Sequence, residues 1–217
     1  MHYEVNGLTV RTENAAKPLG QAHAFVLHWI GELLPTSVVL DYGCGKFRYT
    51  IPLARHVKNV VAVDSKHQVD RIQIVAGEET SLRSYAADHL PNTQVYDITQ
   101  KAWLGRRYDI VLCANVLSTI PFPRKRRSIL RKLRDVLKPR GRLLLCTQYR
   151  NTYFKTYATN PQASEYEDGW LIRSRHGTAF YGIIDKTALV ELCDSSGLAI
   201  TEAFSKGESA YVVASRR

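Results

Sequence analysis

VVLDYGCGKFRYTIPLA, residues 38–54, is the stretch that decides the fold. Val38 to Leu40 form an apolar run that ends in Asp41, and Gly43 and Gly45 follow at once. Ile51, Leu53, Ala54 and Val57 then share one face of a helix expected over 47–57. Two glycines between a strand and a helix let the backbone turn tightly and approach a ligand, while the helix start offers free N–H groups. The next strand-like run, NVVAVD (59–64), closes on Asp64, 19 residues past Gly45. A carboxylate there accepts the hydroxyls of a ribose.

The nucleotide is not a dinucleotide. That fingerprint needs G-x-G-x-x-G, and position 48 is Arg. Asp41 would also repel a pyrophosphate, whereas it suits a ligand with an ammonium group. The charges favour a nucleoside that carries an amino acid.

Outward from this stretch, strands and helices alternate. Further strand-like runs are SVVLDYG (37–43), TQVYD (93–97), YDIVLCA (108–114), GRLLLCTQ (141–148), LAITEAF (198–204) and SAYVVAS (209–215). The first five strands of the set are almost continuously apolar, as in strands covered on both faces. Helices are expected over 18–34 at the N-terminus, 124–138, and 185–196 with an Asp185 cap and a Gly197 stop. One or two more are expected in 66–92. The pattern defines a Rossmann-like, doubly wound α/β fold: a seven-stranded, mostly parallel sheet ending in an antiparallel hairpin, in a three-layer sandwich. A single domain spanning 1–217 is expected, with an acceptor-side insert at about 149–184, since long inserts at the carboxyl end of such a sheet are usually functional.

Composition bounds the partners. Of 217 residues, 30 are Lys or Arg and 20 Asp or Glu, so the chain carries a formal +10. Residues 121–142 hold ten basic side chains and one acid, so the charge belongs to one segment. An acidic partner is implied, and nucleic acid is a candidate through the basic helix 124–138. No apolar stretch is long enough to span a bilayer and no secretory signal is visible, so no membrane partner is expected and the protein is placed in the cytoplasm. Cys44, Cys113, Cys146 and Cys193 never form a CxxC pair, and the seven histidines lack ligand spacing, so no metal is expected. The oligomeric state is left open.

These residues resemble the class I S-adenosylmethionine (SAM)-dependent methyltransferases. Asp41-x-Gly43-x-Gly45 is similar to the first motif of that family, D/E-x-G-x-G-x-G, with Phe47 in place of the third glycine. LRDVLKPRGRLLL (133–145) is similar to its helix–turn–strand segment, with Arg140 replacing a glycine. The resemblance implies SAM as cofactor and S-adenosylhomocysteine (SAH) as product. It assigns Asp41, Tyr42, Gly43, Cys44 and Gly45 to the methionine moiety, Asp64 and Ser65 to the ribose, and Asp97 with Ile98 to the adenine. Asn115 falls in the loop that faces the methyl donor. Phe47 makes that loop bulkier beside the methionine end.

The acceptor is read from the fourth strand. Cys113-Ala-Asn115-Val-Leu is not the (D/N/S)-P-P-(Y/F) of base-amino methylation, and no Pro-Cys nucleophile is present. The pattern resembles small-molecule methyltransferases and, more distantly with DYGCGK, methyltransferases associated with DNA-modification gene clusters. Methyl transfer from a sulfonium relies on placement and desolvation. Where a base is needed, His176 and Tyr149 are the candidates, in an insert where Tyr153 and Tyr181 also gather. Arg150, Arg173, Arg175 and Arg124 are candidates for binding the substrate. The expected activity is methyl transfer to a small or nucleotide-like, anionic acceptor. The alternatives are an RNA or DNA methyltransferase using segment 124–142, and a non-catalytic protein that binds SAM or nucleic acid.

Overall fold

Apolar runs pair edge to edge in the computed structural model, which describes residues 1–149 and 152–217 (side chains excepted at 152 and 153). In chain order the elements begin with β1 (His2–Val5), β2 (Leu8–Arg11), α1 (Ala24–Gly31), β3 (Val38–Tyr42), α2 (Thr50–His56) and β4 (Asn59–Asp64). Next come α3 (Lys66–Asp70), β5 (Gln73–Val75), β6 (Glu78–Thr80), α4 (Leu82–His89), β7 (Thr93–Asp97) and β8 (Tyr108–Ala114). Then follow α5 (Pro123–Asp135), β9 (Leu137–Gln148), α6 (Thr152–Tyr157), β10 (Ala163–Tyr166), β11 (Gly169–Ser174) and β12 (Gly177–Gly182). The chain closes with α7 (Lys186–Asp194), β13 (Leu198–Lys206) and β14 (Ser209–Arg216).

The main sheet has seven strands in the order β13-β14-β9-β8-β3-β4-β7. β3 runs parallel to β4 and to β8, and β4 to β7, while β14 is antiparallel to both β13 and β9. This is the mostly parallel sheet with a terminal hairpin that the sequence predicts. Val39, Leu40, Val60 to Val63 and Val111 to Leu112 are almost fully buried, which is why these runs carry no polar alternation. Asp185 caps α7 as expected, its carboxylate accepting from Ala188 N at 2.9 Å.

By contact the chain gathers into two compact units: Ala16–Leu112 with Met1, and His2–Ala15 with Cys113–Arg217. In the first, the helix expected at 18–34 is only Ala24–Gly31, preceded by a short 3-10 turn at Leu19–Gln21. Pro18 and Gly20 favour that looser start. The 66–92 stretch holds the helices α3 and α4, but also a β5–β6 hairpin turning at Ala76 and Gly77, both with positive φ.

The second unit contains what sequence reading left out. The insert after β9 is a helix and three strands, and these strands join the N-terminal hairpin in a five-stranded accessory sheet, β1-β2-β12-β11-β10. Its core is Val5, Val10, Leu171 and Phe180. A buried guanidinium holds this unit together. Arg126, in the first turns of α5 and 1% exposed, donates from Nε to the Ile120 carbonyl at 2.8 Å. Its two terminal nitrogens grip the Asp168 carboxylate in a bidentate pair, and its guanidinium carbon lies 5.6 Å from the centre of the Phe180 ring. The run Arg124 to Arg127 is therefore not four solvated cations. Arg124 and Lys125 face water, and Arg126 is a structural anchor.

Candidate functional site

The first unit carries the loop that the sequence singled out. Strand β3 delivers Asp41 to the start of the loop at 2% exposure, where its Oδ2 accepts from the Thr50 hydroxyl at 2.6 Å. Burial, the dominant influence, pushes the Asp41 carboxyl from its ordinary 3.8 up to about 6, with Asp64 adding to the rise and Thr50 and Arg48 opposing it. Gly43 and Gly45 have φ of +76° and +58°, the left-handed backbone that glycine adopts without strain. Gly43 and Cys44 both donate backbone N–H groups to the Val63 carbonyl, at 2.7 and 3.2 Å, so the loop is stitched to the end of β4.

Asp64 completes that stitching. One carboxylate oxygen accepts from Gly45 N at 2.9 Å and the other from Ser65 N at 2.7 Å. The residue is half-buried, so the site is sealed only in part from solvent. Ser65 caps α3, accepting from Gln68 N at 3.3 Å. Gln68 reaches back to donate to the Gly45 carbonyl at 2.5 Å. Asp97 lies across from Asp64 in the β4–β7 ladder, and Ile98 N donates to the Asp64 carbonyl at 2.8 Å. The Asp97 carboxylate is engaged by the Thr99 hydroxyl and by Thr99 N, with Arg83 at 3.6 Å. These contacts, the Thr99 hydroxyl first, hold it below the ordinary carboxylate range against the opposing effect of burial.

Two of the residues expected at the cofactor turn their side chains into the core. The Tyr42 ring lies at 2% exposure against Trp103, with centroids 5.7 Å apart. Cys44 is also buried, and burial raises its thiol well above its usual range. At both positions only the backbone is available to a ligand. Phe47 corrects the expectation of a bulkier loop. Its backbone takes the left-handed turn, at φ 60°, that the missing glycine would have taken. Its ring is fully buried and packs with Ile51, Ala62, Leu82 and Ala86, 6.2 Å from Tyr85, so it serves the core and does not stand over the loop.

Sequence reading missed Thr50, Gln68 and Arg48. Arg48 is 8% exposed, stacks over Tyr49 at 4.7 Å and donates to the Gln21 carbonyl at 3.4 Å. Close by, His23 is held down at about 4, by burial first and then by the Arg48 charge, so it is neutral at pH 7. The signal for Arg48 was present: it is a cation in the loop that follows the Asp41-bearing strand β3.

The remaining candidates, Asn115 for the cofactor and the rest for catalysis or the substrate, belong to the second unit. Asn115 follows β8 with φ 60°, donating its N–H to the Cys146 carbonyl at 2.7 Å. Tyr149 is half-buried and its N–H donates to the Glu208 carbonyl at 3.0 Å. His176 is exposed in the β11–β12 turn, where its Nε2 accepts from Arg175 Nε at 3.0 Å. Arg173, Arg175 and Arg124 are exposed. Arg150 and the Tyr153 side chain lie outside the described residues. The expected gathering of these groups does not hold. Arg173 pairs with Thr178 near the turn, whereas Tyr181 pairs with Trp170 at the far end and on the other face, because side chains alternate along a strand.

Among the described residues, no three His, Cys, Asp or Glu side chains are placed to hold a metal ion, and the four cysteines are buried outside any disulfide. No helix of the described residues is long and apolar enough to cross a membrane.

Two strand-ending carboxylates joined through a left-handed glycine loop favour ammonium and hydroxyl donors over phosphate. The class this defines is a Rossmann-like transferase that uses an amino-acid-bearing nucleoside. Comparison with known proteins agrees: a family described as the methyltransferase domain matches residues 13–203. The chain belongs to that family, and it is a SAM-dependent methyltransferase of class I. It is 32% identical over 212 residues to the uncharacterized protein YmfD of Escherichia coli (strain K12), covering 98% of this chain and 95% of that one. It is 27% identical to a ubiquinone biosynthesis O-methyltransferase of Coxiella burnetii (strain Dugway 5J108-111), over 86% of this chain and 74% of the relative. The crystal structure of the PH0226 protein from Pyrococcus horikoshii OT3 shares the fold, with a TM-score of 0.66, 18% identity, and 88% and 86% of the two chains covered.

Proposed function

We propose that the chain transfers the methyl group of SAM to a small or nucleotide-like acceptor with an anionic group. The observation that carries the cofactor half is the junction of half-buried Asp64 with the Gly43–Gly45 loop, where two backbone donors fix the carboxylate at the end of β4. The donor set fits the group. Asp41, beside Arg48, can answer the ammonium and carboxylate of a methionine moiety, Asp64 the ribose hydroxyls, and half-buried Ile98 the flat face of the base. A side chain at Gly45 would stand 3.6 Å from Ala16 and force a strained φ. The cofactor supplies an electrophilic methyl on a sulfonium. This chain's own residues hold, orient and desolvate.

An anionic acceptor is supported by the basic β11–β12 turn, where Arg173 and Arg175 are exposed and Arg11 lies beside Gly177. Of the two groups considered for proton removal, we retain Tyr149, which is half-buried. His176 already accepts from Arg175 at the nitrogen that a base would use. A second reading, an RNA or DNA acceptor, is favoured by the exposed Arg124, Lys125, Arg131 and Lys132 of α5. Methyl-labelled SAM offered separately with metabolite, RNA and DNA pools tests both. Label in the metabolite pool supports the first reading and label in a nucleic acid supports the second. Failure to bind both SAM and SAH would sink the two together. Tyr149→Phe should slow transfer while His176→Ala leaves it near wild type, and the reverse order would return the base role to His176.

A further inference from the structure

Phe47, Val69 and Val75 share one apolar cluster and have no exposed surface. Gln68, one residue before Val69 on α3, is buried just as completely. Its neighbours orient its carboxamide. Arg71 can only donate, so the Gln73 oxygen that lies 3.3 Å from its guanidinium is an acceptor. The Gln73 nitrogen then donates to the Gln68 main-chain carbonyl at 2.9 Å. In return, the Gln68 side-chain nitrogen donates to the Gln73 oxygen at 3.0 Å and to the Gly45 carbonyl at 2.5 Å. Turning the Gln68 amide over would set an oxygen against two acceptors. Both of its N–H groups are therefore used, and its Oε1 is buried with no donor. Thr50 and Thr147, polar side chains at the same full burial, each have a partner.

A buried oxygen without a donor costs stability that an apolar side chain in its place would not. What the amide contributes lies at Gly45. The Gly45 N–H holds one oxygen of the Asp64 carboxylate at 2.9 Å, and Gln68 holds the carbonyl of the same residue. Gly45 has no side chain to limit rotation of its backbone, which stands at φ +58°. The two bonds together fix the peptide groups on either side of it, and with them the carboxylate it faces. Gln68 has no exposed surface, so it acts through Gly45. We propose that Gln68 is a positioning residue for the cofactor: its amide, steadied by Gln73, sets the Gly45 peptide so that Asp64 is presented to the ribose. The proposal rests on the ribose role of Asp64 given above and adds the residue that sets its geometry.

SAH binding is measured by calorimetry on wild type, Gln68→Met, Asp64→Ala and the double variant. Met keeps the length and nearly the volume of the side chain and removes its donors. Gln68→Met should weaken SAH on the order of fivefold, the scale of one neutral hydrogen bond. In the Asp64→Ala background no carboxylate is left to position, and the same change should weaken binding by less than about twofold. A residue that merely supports the local fold would weaken binding by the same factor in both backgrounds. Equal losses therefore overturn the proposal, and so does unchanged affinity in Gln68→Met alone. If circular dichroism shows Gln68→Met unfolded, Gln73→Met takes its place, since it loosens the same amide. Its loss should be smaller and should likewise vanish with Asp64→Ala; no loss, or one that persists there, overturns the proposal. Wild type that binds no SAH, or Asp64→Ala that binds it as wild type does, removes the ribose role itself. Asp64→Ala weakened with Gln68→Met unchanged defeats the positioning role alone.

Discussion

Removing the Arg126 guanidinium should cost more than the loss of a surface ion pair, and a double-mutant cycle with Asp168 can say how much. Arg126 is 1% exposed on its side chain and Asp168 39%, so the pair is sealed from one side only. Exposed pairs are worth about 0–1 kcal/mol and breaking a fully buried one costs about 3–5 kcal/mol. Bidentate geometry favours the upper part of the interval between them. Water reaching Asp168 discounts it, so a coupling energy of about 2 kcal/mol is expected. The single variants Arg126→Met and Asp168→Ala, and the double variant, would be compared by urea unfolding. Arg126→Met also forfeits the bond to the Ile120 carbonyl and the contact with Phe180, but these losses recur in the double variant and cancel in the cycle. Because the cation is shielded, the coupling should change little between low and moderate salt. A coupling below about 0.5 kcal/mol, or one abolished by salt, would show that the pair behaves as a surface contact and that Arg126 is no anchor.

Four further outcomes follow from the same structure. Asp41 titrates near 6 when folded and near 3.8 otherwise, so the unfolded chain releases this proton first. Its contribution to stability is complete below about pH 4 and is lost as pH rises through 6, by at most about 3 kcal/mol; Asp41→Asn should flatten this fall, and unchanged pH profiles would refute it. At Phe47 the usual order of glycine and alanine should invert: both lose a buried ring, but Gly is free of left-handed strain, so Phe47→Gly should unfold at a higher temperature than Phe47→Ala by about 1 kcal/mol of stability. Asp64→Ala should weaken SAH binding on the order of a hundredfold in calorimetry, the scale of two hydroxyl bonds to a charged group, and unchanged affinity would end the ribose assignment. Gly182→Ala would bring a methyl to 2.9 Å from Arg126 Nη2 and 3.0 Å from the Phe180 ring, so a melting temperature equal to wild type would contradict the packing described.

The main sheet was legible because its central strands β3, β4 and β8 are buried on both faces and announce themselves as unbroken apolar runs. The accessory sheet was not. HYEV, LTVR, ASEY and GTAFYG are short and half polar, and at that length alternation is hard to tell from loop. One local signal was there to be used: Asn6-Gly7, both with positive φ, is the pair that closes a two-residue hairpin between Val5 and Leu8. At the cofactor loop the backbone positions and both strand-ending acids could be read directly, since glycine and aspartate spacing encodes them. The direction of Phe47 could not, because a left-handed residue turns its side chain away from where the motif suggests. Nor could Arg126 be told from Arg124 and Lys125. Burial of one cation in a run depends on Asp168, 42 residues away.

Strand β2 lies beside β12 in parallel, with Val10 opposite Thr178. On a ribosome that pairing has a timetable. The first hairpin leaves the exit tunnel early and must wait, its edge amides bare, until some 170 further residues have been translated. The five-stranded accessory sheet is therefore completed late in synthesis, whatever the order of the rest. A slow stretch of translation after residue 182, or a chaperone that shelters residues 2–11, would act on yield without touching the finished enzyme.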